Sequence, residues 1–145
     1  MKQQHNIRIG EITAEEIKIK IGAAITDLEQ DIEPFEVKGP NIMTAHPVTA
    51  SVTSQEIAHC LDKQLARIEQ GIIQVLENTP PELYQDIVDK GIALTGGGAL
   101  IRGLDQRLSK KINIPFHVSE DPLRAVARGT CAALKNVDKY PCLMR

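Results

Sequence analysis

Tryptophan is absent from this chain, and its 145 residues include only two tyrosines and two phenylalanines. Its core must therefore be aliphatic, and the aromatic platforms on which single-stranded nucleic acid stacks are missing. Cysteine is also scarce. Cys60, Cys131 and Cys142 are odd in number and widely spaced, with no C-x-x-C pair and no histidine at zinc-ligand spacing. They read as reduced thiols, and no metal site is expected from them. Charge of one sign is lacking too, because 17 basic and 19 acidic residues leave a formal net charge of −2. Such a balance creates no global field for nucleic acid or an anionic membrane. No apolar run approaches the roughly 20 residues that span a bilayer, and Met1-Lys2-Gln3-Gln4-His5 is not followed by a signal-peptide core. A cytoplasmic placement is the expectation.

What is present is enough for a real core, with 42% hydrophobic and 25% charged residues, and the length suits one domain or two small lobes. The organising stretch is Gly91-Ile92-Ala93-Leu94-Thr95-Gly96-Gly97-Gly98-Ala99-Leu100-Ile101-Arg102-Gly103. A short apolar run, three glycines and the start of a helical pattern read as strand, tight loop and helix. Glycine carries no Cβ and tolerates φ > 0, so such a loop lets a ligand approach its backbone N–H groups. No Lys-Ser/Thr follows the glycines, which argues against a Walker loop, and Ile101 stands where G-x-G-x-x-G needs its third glycine. On residues alone a ligand-facing loop and a close-packed bulged turn both remain open.

Around this stretch the chain reads as mixed α and β. Ile17-Lys18-Ile19-Lys20-Ile21 alternates like a strand, but Thr13-Ala14-Glu15-Glu16 has the form of a capping box, and helix is expected. In that helix Glu15 and Lys18 share a face, as an ordinary surface ion pair or as part of a site. Residues 22–34 lose the apolar period and read as a solvated connection. Phe35–Gly39 and Pro47–Val52 alternate as strands of a small antiparallel sheet. Thr53-Ser54-Gln55-Glu56 is a second capping box, followed by Ile57, Leu61, Leu65, Ile68, Ile72 and Leu76 at helical steps. His59 and Cys60 are neighbours on that helix and diverge by about 100°, a poor metal or catalytic pair.

Asn78 is expected to end this helix, and Thr79-Pro80-Pro81-Glu82 to cap the next, with Leu83, Ile87 and Val88 as its buried stripe. Gly91 closes it. After the glycines Leu104, Leu108 and Ile112 form an apolar face, while Arg102, Arg107, Lys110 and Lys111 read as solvated cations or a subunit contact. Pro115–Val118 is a short strand, and Asp121-Pro122 the expected start of a last helix packed on the sheet through Leu123, Val126, Cys131 and Leu134. Strand, helix, strand, helix from Gly91 to Asn136 predicts a parallel βαβα unit. Two strands make a narrow sheet, with room for an uncovered edge and apolar face.

Leu94-Thr95-Gly96-Gly97-Gly98-Ala99-Leu100-Ile101-Arg102-Gly103-Leu104 resembles the adenosine motif of the actin superfamily, and its wording is most similar to the bacterial rod-shape-determining MreB/Mbl family. Ile9-Gly10-Glu11-Ile12-Thr13-Ala14-Glu15-Glu16-Ile17-Lys18 and Glu120-Asp121-Pro122-Leu123-Arg124-Ala125-Val126-Ala127-Arg128-Gly129-Thr130 resemble it in order and spacing, and the likeness thins only from Lys139. The resemblance implies an α/β chain with an actin-like ATPase-domain fold, limited to the second large lobe. Residues 1–89 would be a small helical and antiparallel-sheet subdomain (IIB-like), and 90–145 a βαβα portion of the ribonuclease-H-like subdomain (IIA-like). The family's two phosphate loops and catalytic acid would lie upstream of anything present, so the chain looks like a C-terminal part.

By the same resemblance the cofactor is ATP, as Mg-ATP in the full-length protein, with weak or no binding by this part. Glu15, Glu16, Ile17 and Lys18 would lie at adenine and ribose, and Gly96, Gly97, Gly98 and Ala99 at sugar and α-phosphate. No catalytic residue and no metal ligand is assigned. Implied partners are other subunits of a filament at the inner face of the cell membrane and the proteins of cell-shape and peptidoglycan synthesis. Nucleic acid is not among them. Two alternatives stay open: a protein-interaction module that needs no nucleotide, and part of another actin-superfamily ATPase or sugar kinase.

Overall fold

The computed structural model describes residues 1–28 and 32–136; Cys142 and the last expected stretch lie outside them. The described elements are α1 (Lys2–His5), α2 (Glu11–Ile21), β1 (Phe35–Pro40), β2 (Pro47–Val52), α3 (Ser54–Glu77) and α4 (Pro81–Lys90), then β3 (Ile92–Leu94), a 3₁₀ turn (Gly97–Leu100), α5 (Leu104–Ile112), β4 (Phe116–Val118) and α6 (Ala125–Lys135). The mixed α/β class is as expected.

β1 and β2 form an antiparallel hairpin in which Phe35 faces Val52 and Pro40 faces Pro47. Val37 and Val52 point inward and meet Ile17 and Ile21 of α2, with Ile57 of α3 closing the cluster. The conflict over residues 17–21 is thereby resolved by period: Ile17 and Ile21, four apart, are buried, while Ile19 is 68% exposed. A strand would have put all three on one face. The helix begins earlier than expected, at Glu11 behind Gly10, and no side chain caps it. Ala14 N–H already donates to Gly10 O at 3.1 Å, so Thr13 lies inside the first turn and cannot form the box.

The box at Thr53 does form. Glu56 N–H donates to Thr53 Oγ1 at 3.3 Å, and Thr53 N–H donates to Glu56 Oε2 at 2.9 Å. His5 Nε2 stands 3.1 Å from the other carboxylate oxygen. The bond from the Thr53 backbone, helped by His5 and opposed by partial burial, holds the Glu56 carboxyl below its ordinary value of 4.5. A carboxyl lowered in the folded state stabilises above its ordinary value, and that contribution is lost as pH falls through the folded value. Thermal melts at stepped pH are therefore expected to show the wild-type chain above Glu56→Gln near neutrality and converging on it below about pH 4.5. Parallel curves would remove this carboxylate from the acid response.

α3 serves two cores. Beyond Ile57 it turns Leu61, Leu65, Ile72 and Leu76 into a second cluster with Ala24, Leu104, Leu108, Ile114 and Phe116, joined by Ile87, Ile92 and Leu94. Residues before and after position 90 thus share one packed interior. β3 and β4 are parallel, Ile92 beside Phe116 and Leu94 beside Val118, with α5 as the crossover.

Several expectations are corrected. Residues 22–24 are not a solvated connection: Ala23 and Ala24 are buried, Ala23 bridges Arg102 in the parallel sense, and Ala24 N–H donates to Arg102 O at 2.8 Å. Small side chains let two backbones approach and satisfy each other's polar groups. Thr79 does not cap α4, because its hydroxyl donates to Val75 O at 2.8 Å and closes α3 instead; Pro80 holds the cap position of α4 without a side-chain bond. Leu83 and Val88 are exposed, so Ile87 alone of the expected stripe packs inward. Asp121 does not start α6, since residues 121–124 form a turn in which Arg124 N–H donates to Asp121 O at 3.2 Å. Nor does α6 pack tightly: Leu123, Val126 and Leu134 are all exposed. Two strands of three residues are too narrow a surface to cover that helix.

Candidate functional site

α2 and the glycine turn face each other across a cavity of about 300 Å³, lined by Glu15, Lys18, Ile19, Gly97, Leu100, Ile101 and Leu123. Each wall has a local cause. On α2 the burial of Ile17 and Ile21 turns Glu15, Lys18 and Ile19 outward; Lys18 Nζ lies 3.9 Å from Glu15 Oε1, both half-exposed. Opposite, Gly96 adopts φ 80° and its N–H donates to Pro122 O at 2.8 Å, which ties the loop after β3 to the turn before α6. Ala99 N–H then donates to Gly96 O and Ile101 N–H to Gly98 O, at 3.2 and 3.1 Å. Among the described residues no backbone acceptor takes the N–H groups of Gly97 and Gly98. The cleft combines an apolar slot, the Glu15–Lys18 pair and the backbone of Gly97, with the N–H of Gly98 in the same turn. That mixture suits a flat, partly polar ring joined to an anionic group.

Of the residues expected at a site, the cavity brings together Glu15, Lys18 and Gly97. Gly96, Gly98 and Ala99 belong to the same turn without lining it, and Ala99 is buried. Glu16 is exposed outside the lining, and Ile17 is buried in the hairpin core, so neither side chain reaches the cleft. Sequence reasoning missed Ile19, Leu100, Ile101 and Leu123. The signal for Ile19 was available, because a helix that buries 17 and 21 must present 19 on its other side.

A larger cleft of about 590 Å³ lies between α3, α5 and residues 24–27 and includes His59, Asp62, Arg107 and Lys110. Its central cation is already committed. Arg107 Nε is 2.6 Å from Glu69 Oε1, one terminal nitrogen is 2.8 Å from Asp62 Oδ1, and the other donates to Ala24 O at 3.1 Å. Burial works against its charge, yet the bonds to Glu69 and Asp62 outweigh that and hold the proton more tightly than usual. Arg107 is therefore not the solvated cation expected. Arg102 is also engaged, one terminal nitrogen donating to Lys20 O at 2.8 Å. Among the described residues no group of three or more His, Cys, Asp or Glu stands together as a metal site, and no helix is long and apolar enough to cross a membrane.

A family model described as MreB/Mbl protein matches residues 1–141. The chain belongs to the MreB/Mbl family. Cell shape-determining protein Mbl of Bacillus subtilis is 43% identical to this MreB/Mbl chain over 141 residues, 97% of the chain and 42% of the relative. Cell shape-determining protein MreB of Escherichia coli is 40% identical over 140 residues, again 97% of the chain and 40% of the relative. The chain thus spans about two fifths of the length of these curated relatives. In structure it matches MreB5 of Spiroplasma citri bound to AMPPNP with a TM-score of 0.89 and 35% identity, over 95% of this chain and 41% of that one. MreB5 bound to ADP gives the same values. A non-polymerising MamK mutant bound to AMPPNP, at 23% identity and a TM-score of 0.64 over 82% of the chain, shares the fold. The mixed α/β architecture is accordingly part of an actin-like fold.

Proposed function

We propose that this chain forms the adenosine side of the nucleotide site in an ATP-binding, filament-forming, actin-like protein that maintains rod cell shape. The observation that carries the reading is the meeting of Glu15 and Lys18 with Gly97 across one cavity, from segments far apart in sequence. Adenine would enter between Ile19, Leu100 and Leu123; Glu15 and Lys18 would bond ribose and ring edge; the N–H groups of Gly97 and Gly98 would meet the α-phosphate. MreB5, of matching fold, is bound to AMPPNP and ADP in its structures. Residues 1–89 would correspond to the IIB-like subdomain and 90–145 to part of the IIA-like one, with α3 packed into both. Its subunits would assemble into filaments beneath the cell membrane, alongside the machinery of peptidoglycan synthesis.

Alone, the chain is expected to bind adenine nucleotide weakly and not to hydrolyse it. The resemblance puts the phosphate loops outside it, and each missing charge-assisted contact removes about 1.5–3 kcal/mol. Titrating isotope-labelled chain with ADP and Mg-ATP should shift the amides of residues 15–19 and 96–101 only at millimolar nucleotide. Silence of those amides at saturating concentration would sink the site assignment, while micromolar affinity or steady turnover would sink the expectation of weakness.

A second reading, an interaction module that needs no nucleotide, is favoured by one feature: Leu83 and Val88 on α4, with Leu123, Val126 and Leu134 on and beside α6, are exposed. Apolar faces and short unblocked strand edges of this kind associate. Sedimentation velocity is expected to show mass rising with concentration, and Val126→Lys with Leu134→Lys should suppress that rise. A monomer at every concentration would count against it.

A further inference from the structure

We infer that Arg102 is a positioning residue that fixes the spacing between the two walls of the cleft; its bearing on ligand binding rests on the nucleotide reading above. Residue 102 bonds three times to the segment leaving α2. Its side chain donates to Lys20 O at 2.8 Å, its own N–H donates to Gly22 O at 3.3 Å, and its carbonyl accepts Ala24 N–H at 2.8 Å. The first of these satisfies a carbonyl in the last turn of α2, where a cation also suits the helix dipole. Lys20 is two residues from Lys18, and Arg102 directly follows Ile101, so the clamp joins both walls at their ends without entering the cavity.

The neighbouring geometry leaves the junction little freedom. Gly103 adopts φ 72° and a Cβ there would stand 2.6 Å from Ile25 Cγ1, so the Ile25 side chain lies directly on the Gly103 backbone. With Arg102 holding the end of α2 against this contact, Glu15 and Lys18 stay at a set separation from Gly97. Without the guanidinium, α2 keeps its packing through Ile17 and Ile21 but loses the bond that fixes its last turn.

Nitroxide labels at Glu16→Cys on α2 and Thr95→Cys at the entry to the glycine turn, in a chain with Cys60, Cys131 and Cys142 replaced by serine, report the separation of the walls. The wild-type distance distribution should be narrow, Arg102→Met should broaden it, and Arg102→Lys, which can still donate to Lys20 O, should restore much of the narrowing. Arg102→Gln serves as a second truncation should the methionine variant fold poorly. An unchanged distribution in correctly folded Met and Gln variants overturns the inference. In ADP titrations Arg102→Met should weaken binding by about tenfold or less. It should add no further loss once Glu15→Ala and Lys18→Ala have removed the groups it positions; a fully additive loss overturns the positioning role. If the wild-type amides do not respond to ADP at all, the nucleotide reading falls, and the distance measurement alone decides the clamp.

Discussion

Arg107→Met is expected to destabilise the chain by about 3–5 kcal/mol, the cost typical of removing one partner from a buried ion pair. Glu69 is only 5% exposed, and its carboxylate is satisfied by Arg107 Nε at 2.6 Å. Removing the guanidinium leaves that buried carboxylate without its partner. It also frees Ala24 O, whose bond ties residues 22–24 to α5. Asp62 is mostly exposed and rehydrates, so its contribution is small. Urea unfolding should show the loss, and Arg107→Met with Glu69→Leu should recover most of it, because the stranded charge has gone too. A single variant within about 1 kcal/mol of wild type would mean that Glu69 finds water or another donor.

On the nucleotide reading, Gly97→Val in the full-length protein is expected to abolish nucleotide binding while the fold is kept. A glycine in this loop could matter through a left-handed backbone or through open space, and the structure separates the two. The left-handed angle belongs to Gly96, not to Gly97. A Cβ at Gly97 would lie 3.6 Å from Leu123 Cδ2, an ordinary contact, so a valine fits the fold but occupies the cavity. Lys18→Ala would remove only the solvent-exposed bond proposed to ribose or ring edge and should weaken binding by about tenfold or less. Nucleotide titration of the full-length variants checks both, with the melting temperature as the control for folding. Normal binding by folded Gly97→Val would reduce the triple glycine to a packing turn.

Features that depend on near neighbours were legible in the sequence. Thr53 and Glu56 form the expected box because both partners lie within one turn. The hairpin and the parallel βαβ unit follow from periodicity and connection rules. The lining pair Glu15 and Lys18 was legible only through resemblance, since on spacing alone it is an ordinary surface pair. What could not be read depends on who else competes for a group. Thr79 has the right spacing to cap α4, but its hydroxyl reaches Val75 O first. Arg107 looks like a solvated cation until α3 brings Glu69 and Asp62 against it. The exposed apolar stripe of α6 is the uncovered face that a two-stranded sheet leaves room for, whereas the packing expected through Leu123, Val126 and Leu134 does not occur.

The Ala23–Arg102 bridge also sets the order in which the molecule can be built. The Arg102 bond to Lys20 O joins residues 82 apart in sequence, whereas the hairpin and the βαβ unit close through short connections. Joining distant segments loses chain entropy before any contact rewards it. The hairpin and βαβ unit should therefore assemble first and the cleft last, so substitutions at Ala23 or Arg102 should speed unfolding and leave the refolding rate nearly unchanged.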